Sequence, residues 1–520
     1  MAAILTQQQI KMTENKATTI WIKQKTKELL DKAGKKGETY EDIIMRLLRS
    51  ETKSINLKTD GVTFYRQGVE ARPWFISTPY HRAFEIFGRE TSFTYFIGKR
   101  NRSYWSHDVA KEKAWNLLKQ HLKDGKFLKE SIDKWEKLVK GQTIVEKKID
   151  SQKNNPDKLM EEYRKHIFET WKIGIFIELF DPCSEEILMQ LLNRYDKNNL
   201  TIKELKVLCS PEMLTSIQKE MLELYTIAEK KDYKKLEQHA KRWFWIKNTW
   251  GDTKILDENF FKENIMRLEE EGIDFSAEIK KIEKYLEDAR RDKKRIYNKY
   301  PKLNIKIKRA IEFFEMMTEW RERRKKCALI TNHYLGILAG RISKSIGVDK
   351  ELLMFAMPSE IKLPLDDEYI EELEKRKEFC LYYTDEEGDK IITGENAKEI
   401  VKRVSQKDEK QNDRLYGNVA NPGKVEGFAK IIFTTDDLHK MEKGDILVAP
   451  CTRPEYVTAM KIAKAIITDE GGITSHAAIV SRELGVPCIV GLQTATDVIK
   501  DGDLINVNAN HGIVSVLKRK

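Results

Sequence analysis

One histidine near the C-terminus stands among residues that could support covalent phosphoryl chemistry. His476 follows the glycine pair Gly471-Gly472 and the hydroxyl residues Thr474 and Ser475. Glycines without a Cβ let a phosphate approach the backbone, and free N–H groups at the start of a helix favour an anion. Imidazole has an unperturbed pKa of about 6.5, so its neutral form can act as a nucleophile near pH 7. The run therefore predicts a histidine that accepts a phosphoryl group and divides one transfer into two steps.

The segments on either side of this histidine have the composition of regular secondary structure. The apolar run 465–468 predicts a strand, and 477–484 predicts a helix with Gly485 as its C-cap. Pro487 prevents the helix from continuing, and the apolar run 488–491 predicts a second buried strand. The order strand, glycine loop, helix and strand would place His476 in the first turn of the helix. The alternative is a histidine that only caps this helix.

The stretch from Gly471 to Gly491 resembles the signature of the phosphohistidine, or swivelling, domain of the phosphoenolpyruvate-utilising enzymes. That family includes phosphoenolpyruvate synthase and rifampicin phosphotransferase, and the similarity runs from about Leu415 to Leu517. The resemblance implies a β/β/α swivelling domain in which His476 is the phosphorylated, catalytic residue. It also implies a phosphate-binding set around that histidine, made of Gly471, Gly472, Thr474, Ser475, Thr452 and Arg453.

Two modules that accompany a swivelling domain in this family have no counterpart in the sequence. One is an ATP-grasp module that charges the histidine, and the other receives the phosphoryl group, for example as a pyruvate-binding barrel. The sequence has no Gly-x-x-x-x-Gly-Lys-Ser/Thr loop and no alternation of strands and helices typical of a (β/α)₈ barrel. We therefore expect a phosphotransferase component that is charged by a separate ATP-grasp partner protein. ATP or phosphoenolpyruvate would be the donor, any Mg²⁺ would come through the partner, and no metal ligands are predicted in this chain.

The overall composition indicates a multidomain protein of the cytoplasm. The chain has 520 residues, of which 40% are hydrophobic and 34% are charged. No apolar run approaches the roughly 18 residues of a membrane span, and no signal peptide precedes the charged N-terminus. The six cysteines are scattered without C-x-x-C spacing, which argues against a zinc site or a disulfide framework. A reducing compartment and no membrane contact are therefore expected.

The N-terminal residues predict a ribbon–helix–helix-like unit at 13–50, preceded by a disordered tail at 1–12. The segment 18–23 alternates like a short strand, 25–33 predicts a helix, and 39–42 resembles a capping box that opens a second helix. Such a strand pairs with that of a second copy, so a homodimer is expected. With the net charge of +11, the unit supports an alternative function. This is a DNA-binding regulator whose ribbon enters the major groove and whose swivelling domain is a sensor.

The middle of the chain, residues 51–404, predicts a mainly α-helical domain, so that the fold class is multidomain α+β. Apolar residues recur at three- and four-residue spacing in four segments, 184–194, 211–230, 275–299 and 305–346. Near the end of this region, 383–392 predicts a hairpin. The polar run 405–414 predicts a flexible linker to the swivelling domain at 415–520.

Charged residues amid the apolar segments of this region are candidates for an acceptor-binding site. Arginine forks suit phosphate or carboxylate groups. Glu85 and Arg89 are four residues apart and could pair on one helix face. His239 stands close to two tryptophans, and Arg321 and Arg324 belong to a dense charged cluster. Each alone is more often a surface or core polar residue, but together they predict a polar-lined cavity in a helical domain.

Overall fold

The computed structural model describes Lys27, Tyr40 and the ranges 64–67, 71–87, 92–97, 100–151, 155–181, 183–254, 256–361, 365–385, 388–408, 414–471, 475–492 and 494–520. The chain divides into two compact units, Met1–Lys58 and Thr59–Lys520. The predicted tail at 1–12 and, apart from Lys27 and Tyr40, the predicted ribbon–helix–helix-like unit lie outside the described residues. All helices and strands named below belong to the second unit.

Most helices of the second unit lie in the chain between residues 107 and 378. The first ten are α1 (Pro73–Phe87), α2 (His107–Asp124), α3 (Phe127–Asp150), α4 (Pro156–Gly174), α5 (Ser184–Tyr195), α6 (Ile202–Cys209), α7 (Ser216–Glu229), α8 (Leu236–Trp243), α9 (Glu258–Glu270) and α10 (Phe275–Lys299). The later ones are α11 (Ile305–Ile346), α12 (Lys350–Leu353), α13 (Asp367–Glu378), α14 (Gly394–Asp408), α15 (Val457–Ile462), α16 (His476–Leu484) and α17 (Ala495–Val498). Among the described residues, none of these helices combines the length and apolarity needed to cross a bilayer.

The long helix α11 is the central element of the helical region. It has 42 residues and ends at Gly347, whose φ of 71° is the left-handed conformation of a glycine C-cap. Helices α2, α3, α4 and α6 contact it, and its buried side chains include Phe313, Trp320 and Leu338. The four predicted helical segments are confirmed. The second begins at Ser216, because Thr215 forms a capping box with Gln218.

A five-stranded antiparallel sheet belongs to the same region, and helical periodicity did not predict most of it. Its strands are β1 (Phe64–Gln67), β2 (Phe93–Ile97), β3 (Arg100–Ser106), β4 (Cys380–Asp385) and β5 (Gly388–Thr393), in the order β1-β3-β2-β4-β5. The hairpin β4–β5 is the predicted one. Strand β2 pairs with β4 through Thr94 and Tyr382, so residues almost 300 positions apart complete the sheet. Such non-local pairing leaves no periodic signal in either segment alone.

The C-terminal domain is built on an eight-stranded sheet. Its strands are β6 (Arg414–Tyr416), β7 (Asn418–Asn421), β8 (Lys424–Ile431), β9 (Ile446–Ala449), β10 (Ala465–Thr468), β11 (Cys488–Val490), β12 (Leu504–Asn508) and β13 (Ile513–Lys518). The order is β6-β13-β12-β8-β9-β10-β11-β7, with β8, β9, β10 and β11 parallel. Both faces are covered. Val448 and Ile467 join one apolar cluster, and Leu447 and Ile466 join the other.

The parallel strands β9 and β10 bring together the two loops next to His476. The carboxyl ends of β9 and β10 lie side by side, so the loops that follow them meet at one edge of the sheet.

Helix α14 runs to Asp408, into the predicted linker at 405–414, and β6 begins at Arg414. Part of that predicted linker is therefore helical.

Candidate functional site

His476 is the first residue of α16. Its position is fixed by the cap of that helix and by a side-chain contact with the loop after β9. The Ser475 hydroxyl caps the helix by accepting a hydrogen bond from the backbone N–H of Ala478, at 3.4 Å. The ring nitrogen Nδ1 of His476 is 2.9 Å from Oγ1 of Thr452, which is buried in the loop after β9. Nε2 has no hydrogen-bond partner among the described residues. One ring nitrogen is thus anchored and the other is left for chemistry.

The imidazole of His476 is held in its neutral form. Burial lowers its pKa to about 4; Glu455 acts in the opposite direction and Lys325 in the same direction. The tautomer that donates from Nδ1 to the Thr452 hydroxyl leaves the lone pair on Nε2. At pH 7 the site therefore presents an uncharged nucleophile with a defined orientation.

Gly471 is required by the geometry of the loop before the histidine. Its φ is 104°, and a Cβ there would lie 2.8 Å from Cβ of Ser475. Gly472 and Thr474, which complete the predicted phosphate-binding run, lie outside the described residues. Arg453 follows Thr452, and its charge opposes the burial that raises the pKa of the Cys451 thiol to about 11. The structure thus brings Gly471, Ser475, Thr452 and Arg453 into two adjoining loops.

The face of the C-terminal domain that contains His476 contacts the helical region. Lys247, in the segment between α8 and α9, pairs with Oε1 of Glu455 at 3.1 Å. Burial alone would raise the pKa of Glu455, but Lys247 holds it below its ordinary value. Glu455 follows Thr452 by three positions, so this ion pair joins the helical region to the segment that anchors the ring of His476.

A buried arginine forms the second contact between these two parts. Arg102 of β3 donates to Oδ2 of Asp469 at 3.2 Å and to Oδ1 of Asp497 at 2.9 Å. Its Nη2 also donates to the Thr496 hydroxyl at 2.5 Å, and its guanidinium lies 5.5 Å from the ring centre of Phe433. Burial raises the pKa of Asp469, and the charge of Arg102 opposes that rise. Sequence reasoning missed this pair, whose members are 367 positions apart and share no motif.

The residues predicted to form an acceptor site do not all come together. Glu85 is half-buried in α1, with Oε1 3.5 Å from Nε2 of His81. Its predicted partner Arg89 lies outside the described residues. His239 is completely buried in α8, with ring nitrogens 3.2 Å from carboxylate oxygens of Glu220 and Glu223. Its ring packs against Phe261, which belongs to a different apolar cluster from that of Trp320 on α11.

The two predicted arginines on α11 do lie together. Nη2 of Arg324 pairs with Oε1 of Glu178, and Nη2 of Arg321 is 2.5 Å from Oδ1 of Asp181. Glu178 lies in a 3₁₀ segment, Ile175–Phe180, that continues from α4. Neither carboxylate had a sequence signal, because both are separated from the arginines by well over a hundred residues.

The described residues around His476 do not fit a divalent metal. Two carboxylates of the adjoining segments, Glu455 and Asp469, are both paired with cations, Lys247 and Arg102. Throughout the described ranges, no group of three or more His, Cys, Asp or Glu side chains is placed to hold a metal ion. No step of the chemistry is therefore assigned to a metal bound by these residues.

Comparisons with known proteins concern the same end of the chain. Residues 441–512 match the family described as "PEP-utilising enzyme, mobile domain". The chain is 55% identical over 100 residues to the probable phosphoenolpyruvate synthase of Archaeoglobus fulgidus, which is 19% of this chain and 13% of that protein. It is 34% identical over 230 residues to the phosphoenolpyruvate synthase of Aeropyrum pernix, covering 44% and 28% of the two chains.

A third relative bears the name of a phosphotransferase. The uncharacterized phosphotransferase YvkC of Bacillus subtilis is 40% identical over 123 residues, which is 24% of this chain and 15% of that protein. The chain thus spans less than a third of each of these three relatives. An NMR structure of Enzyme I (nEIt) aligns over 59% of this chain and 82% of that chain at 15% identity. Its TM-score of 0.18 is too low to support any inference.

Proposed function

Because the C-terminal domain of this chain is a mobile domain of the phosphoenolpyruvate-utilising enzymes, we propose that the chain is a phosphotransfer protein that accepts a phosphoryl group on His476 and passes it on. One observation supports this most directly. Nδ1 of His476 is anchored 2.9 Å from the Thr452 hydroxyl, while burial holds the ring neutral. A histidine that only capped the helix would need neither feature, because Ser475 already supplies the cap.

The proposed charging step uses Nε2 as the nucleophile. Its lone pair attacks the phosphorus of the donor, a phosphorus–nitrogen bond forms, and the phosphorus–oxygen bond to the leaving group breaks with its electron pair on oxygen. The proton on Nδ1 stays in the hydrogen bond to Thr452. The ring is then positively charged beside the anionic phosphoryl group. Thr452 acts by fixing the ring and its tautomer.

The donor and the charging partner are further parts of the proposal. ATP or phosphoenolpyruvate is the donor, and a separate ATP-grasp-type protein supplies the nucleotide site and any Mg²⁺. The motivation for this division is an intact phosphohistidine run in a sequence with no recognisable ATP-grasp run. The predicted homodimer and DNA contact depend on residues 13–50 and stay predictions.

Labelling of the purified full chain tests the proposal. The protein is incubated with ATP labelled at its β-phosphate, with ATP labelled at its γ-phosphate or with phosphoenolpyruvate labelled at phosphorus, with and without an extract of the source organism. We expect acid-labile label in the wild type and in His511→Ala, which alters an exposed turn histidine. His476→Ala should stay unlabelled. Label that needs the extract indicates a separate charging partner. Equal labelling of His476→Ala, or no label under any condition, contradicts the function.

A further inference from the structure

The C-terminal domain and the helical region do not share an apolar core. In the part of the chain that the structure describes, two apolar clusters take their residues from the helical region and two from the C-terminal domain, and none combines residues of both. The contacts that cross the boundary include the ion pairs of Arg102 and Lys247. Relative motion is the usual expectation where a domain interface is not large and hydrophobic. Contacts across this boundary therefore exist only while the two parts are docked.

Arg102 reaches across the boundary to the start of the loop that leads to His476. Its partner Asp469 directly follows β10 and lies two positions before Gly471. Oδ1 of Asp469 accepts the backbone N–H of Thr496 at 3.0 Å, and Oδ2 accepts the Thr496 hydroxyl and, at 3.2 Å, Nη1 of Arg102. Both charged side chains are almost completely buried. The carboxylate is thus held by one residue of its own domain and by one from the helical region.

The backbone of Asp469 joins it to the loop that anchors the histidine ring. Its N–H donates to the carbonyl of Ala449 at 3.1 Å, and the N–H of the next residue donates to the carbonyl of Pro450 at 2.9 Å. Two residues after Pro450, the Thr452 hydroxyl lies 2.9 Å from Nδ1 of His476. A displacement of Asp469 is therefore transmitted through hydrogen bonds to the group that orients the ring.

Close packing along the loop gives a second connection between Asp469 and the histidine. A Cβ at Gly471 would lie 2.8 Å from Cβ of Ser475, the residue that caps α16. A Cβ at Gly491 would lie 3.0 Å from the carbonyl oxygen of Gly471. Tightly packed groups transmit a displacement because they have no free space to absorb it. A shift at the start of the loop therefore moves Ser475 and, next to it, His476.

The guanidinium of Arg102 also fixes the loop relative to α17. Its Nη2 donates to the Thr496 hydroxyl at 2.5 Å and to Oδ1 of Asp497 at 2.9 Å, while Nη1 donates to Asp469. The planar fork of an arginine can hold several acceptors in one fixed geometry, and the single ammonium group of a lysine cannot do so equally well. Arg102 thus determines a position as well as supplying a charge.

We propose that Arg102 is a positioning residue for His476, contributed to the phosphotransfer site by the helical region. While the two parts are docked, Arg102 compensates the charge of Asp469 and holds the loop that sets the ring against Thr452. When they are apart, the carboxylate turns to water, the loop loosens, and Nε2 has no single orientation. The proposal rests on the phosphotransfer function of His476. It extends that function by making the site composite, so that the nucleophile is fully ordered only in the docked arrangement.

The first test observes the ring in the unphosphorylated full chain. The protein is prepared with nitrogen-15 in its histidines, and the NMR signals of His476 are identified by their absence from His476→Ala. In the wild type we expect one tautomer, with the proton on Nδ1, between pH 8 and pH 5. In Arg102→Met we expect both tautomers and protonation of the ring within this range, because the uncompensated charge of Asp469 displaces the loop.

Arg519→Met is the matched control for this test. Nη1 of Arg519 lies 2.8 Å from Oδ2 of the buried Asp503, so this variant also removes an arginine from a buried aspartate. That pair lies wholly inside the C-terminal domain and does not involve the loop before His476. The signals of His476 should therefore match those of the wild type.

The second test measures the rate at which His476 is labelled by phosphoramidate, which needs no protein partner. Nε2 attacks the phosphorus, a new phosphorus–nitrogen bond forms, and the bond to the reagent's ammonium nitrogen breaks with its electron pair on that nitrogen, which leaves as ammonia. Arg102→Met should slow labelling about tenfold, because a misplaced nucleophile reacts more slowly. Arg102→Lys should recover part of the rate, and it serves if Arg102→Met fails to fold. Arg519→Met should stay within twofold of the wild type.

The possible failures are distinguishable. If phosphoramidate labels His476 in no preparation, the phosphotransfer function fails, and the NMR signals still decide whether Arg102 positions the ring. If Arg102→Met is less stable but keeps the wild-type tautomer and labelling rate, the positioning role is overturned and the phosphotransfer function stands. Equal changes in Arg519→Met would also overturn the role, because the loss of any ion pair would then disturb the ring.

Discussion

The C-terminal domain and the helical region each bury a histidine, and the two side chains have different surroundings. His476 has a hydroxyl at Nδ1 and no partner at Nε2 among the described residues, and burial lowers its pKa to about 4. His239 is completely buried, with a carboxylate oxygen 3.2 Å from each ring nitrogen. Burial next to a neutral hydroxyl leaves a neutral nucleophile. His239 instead lies between the carboxylates of Glu220 and Glu223, so each of its ring nitrogens faces a carboxylate oxygen, which is typical of a structural role.

The two ion pairs that join the C-terminal domain to the helical region differ in how far they are buried. Arg102 and Asp469 have side chains 3% and 1% exposed, whereas Lys247 and Glu455 are 35% and 33% exposed. When a buried pair loses one member, the other charge stays buried without compensation. When a partly exposed pair loses one member, water solvates the remaining charge. Substitutions in the two pairs should therefore differ in size by several-fold.

Replacing each of the two histidines in turn tests the first contrast and has the largest expected effect. His476→Ala should abolish phosphoryl labelling and change stability little. His239→Leu should keep labelling but lower the free energy of unfolding by about 1–3 kcal/mol, because the buried Glu220 loses its hydrogen-bond partner, whereas Glu223 keeps Arg242 and Trp243. Labelling and urea denaturation of the same preparations check both. Loss of labelling in folded His239→Leu would show that this histidine takes part in the chemistry.

Arg102→Met should reduce the free energy of unfolding by about 3–5 kcal/mol at pH 7, since Asp469 stays buried without its counter-charge. The pKa of Asp469 is already raised in the folded state, so its contribution to stability is complete below its ordinary pKa and is lost as pH rises through the raised value. Removing Arg102 raises that pKa further. The loss measured by denaturation should therefore be smaller at pH 4 than at pH 7, and an equal loss at both would contradict this account.

Gly471→Ala should cost about 1–3 kcal/mol and reduce labelling, because the new Cβ would combine strained backbone with a close approach to Ser475. Gly444→Ala is a matched control. Gly444 has a similar φ of 98°, but its Cβ would meet nothing within 4 Å. The difference between the two variants in urea denaturation measures the clash alone, and no difference would mean that Ser475 moves without cost.

The rate of labelling should depend little on pH between 8 and 5. With a pKa of about 4, the neutral fraction of His476 falls by only about a tenth over this range, whereas an ordinary histidine loses about 30-fold. Labelling with phosphoramidate is measured against free N-acetylhistidine, which corrects for the reagent's own pH dependence. A constant ratio between protein and free amino acid would show that burial does not depress the pKa.

Lys247→Met should have the smallest effect, about 0.5 kcal/mol or less in urea denaturation. The loss should shrink further in 1 M salt, because the pair is partly exposed to solvent. A loss as large as that of Arg102→Met would remove the distinction between the two pairs.

The sequence by itself determined the local unit around His476. Strand β10, α16 with its Gly485 cap and strand β11 all follow from neighbouring residues, because caps, turns and periodicity act over a few positions. The four long helical segments and the hairpin β4–β5 were predictable for the same reason.

Only the tertiary structure decided which charges meet. The partners in Arg102–Asp469 and Arg324–Glu178 are 367 and 146 positions apart, and no spacing rule relates them. The five-stranded sheet likewise depends on strands from both ends of the helical region. Even the neutral state of His476 was not readable from its motif. Its pKa is lowered mainly by burial, which depends on how the folded chain encloses the ring, and the motif does not encode that enclosure.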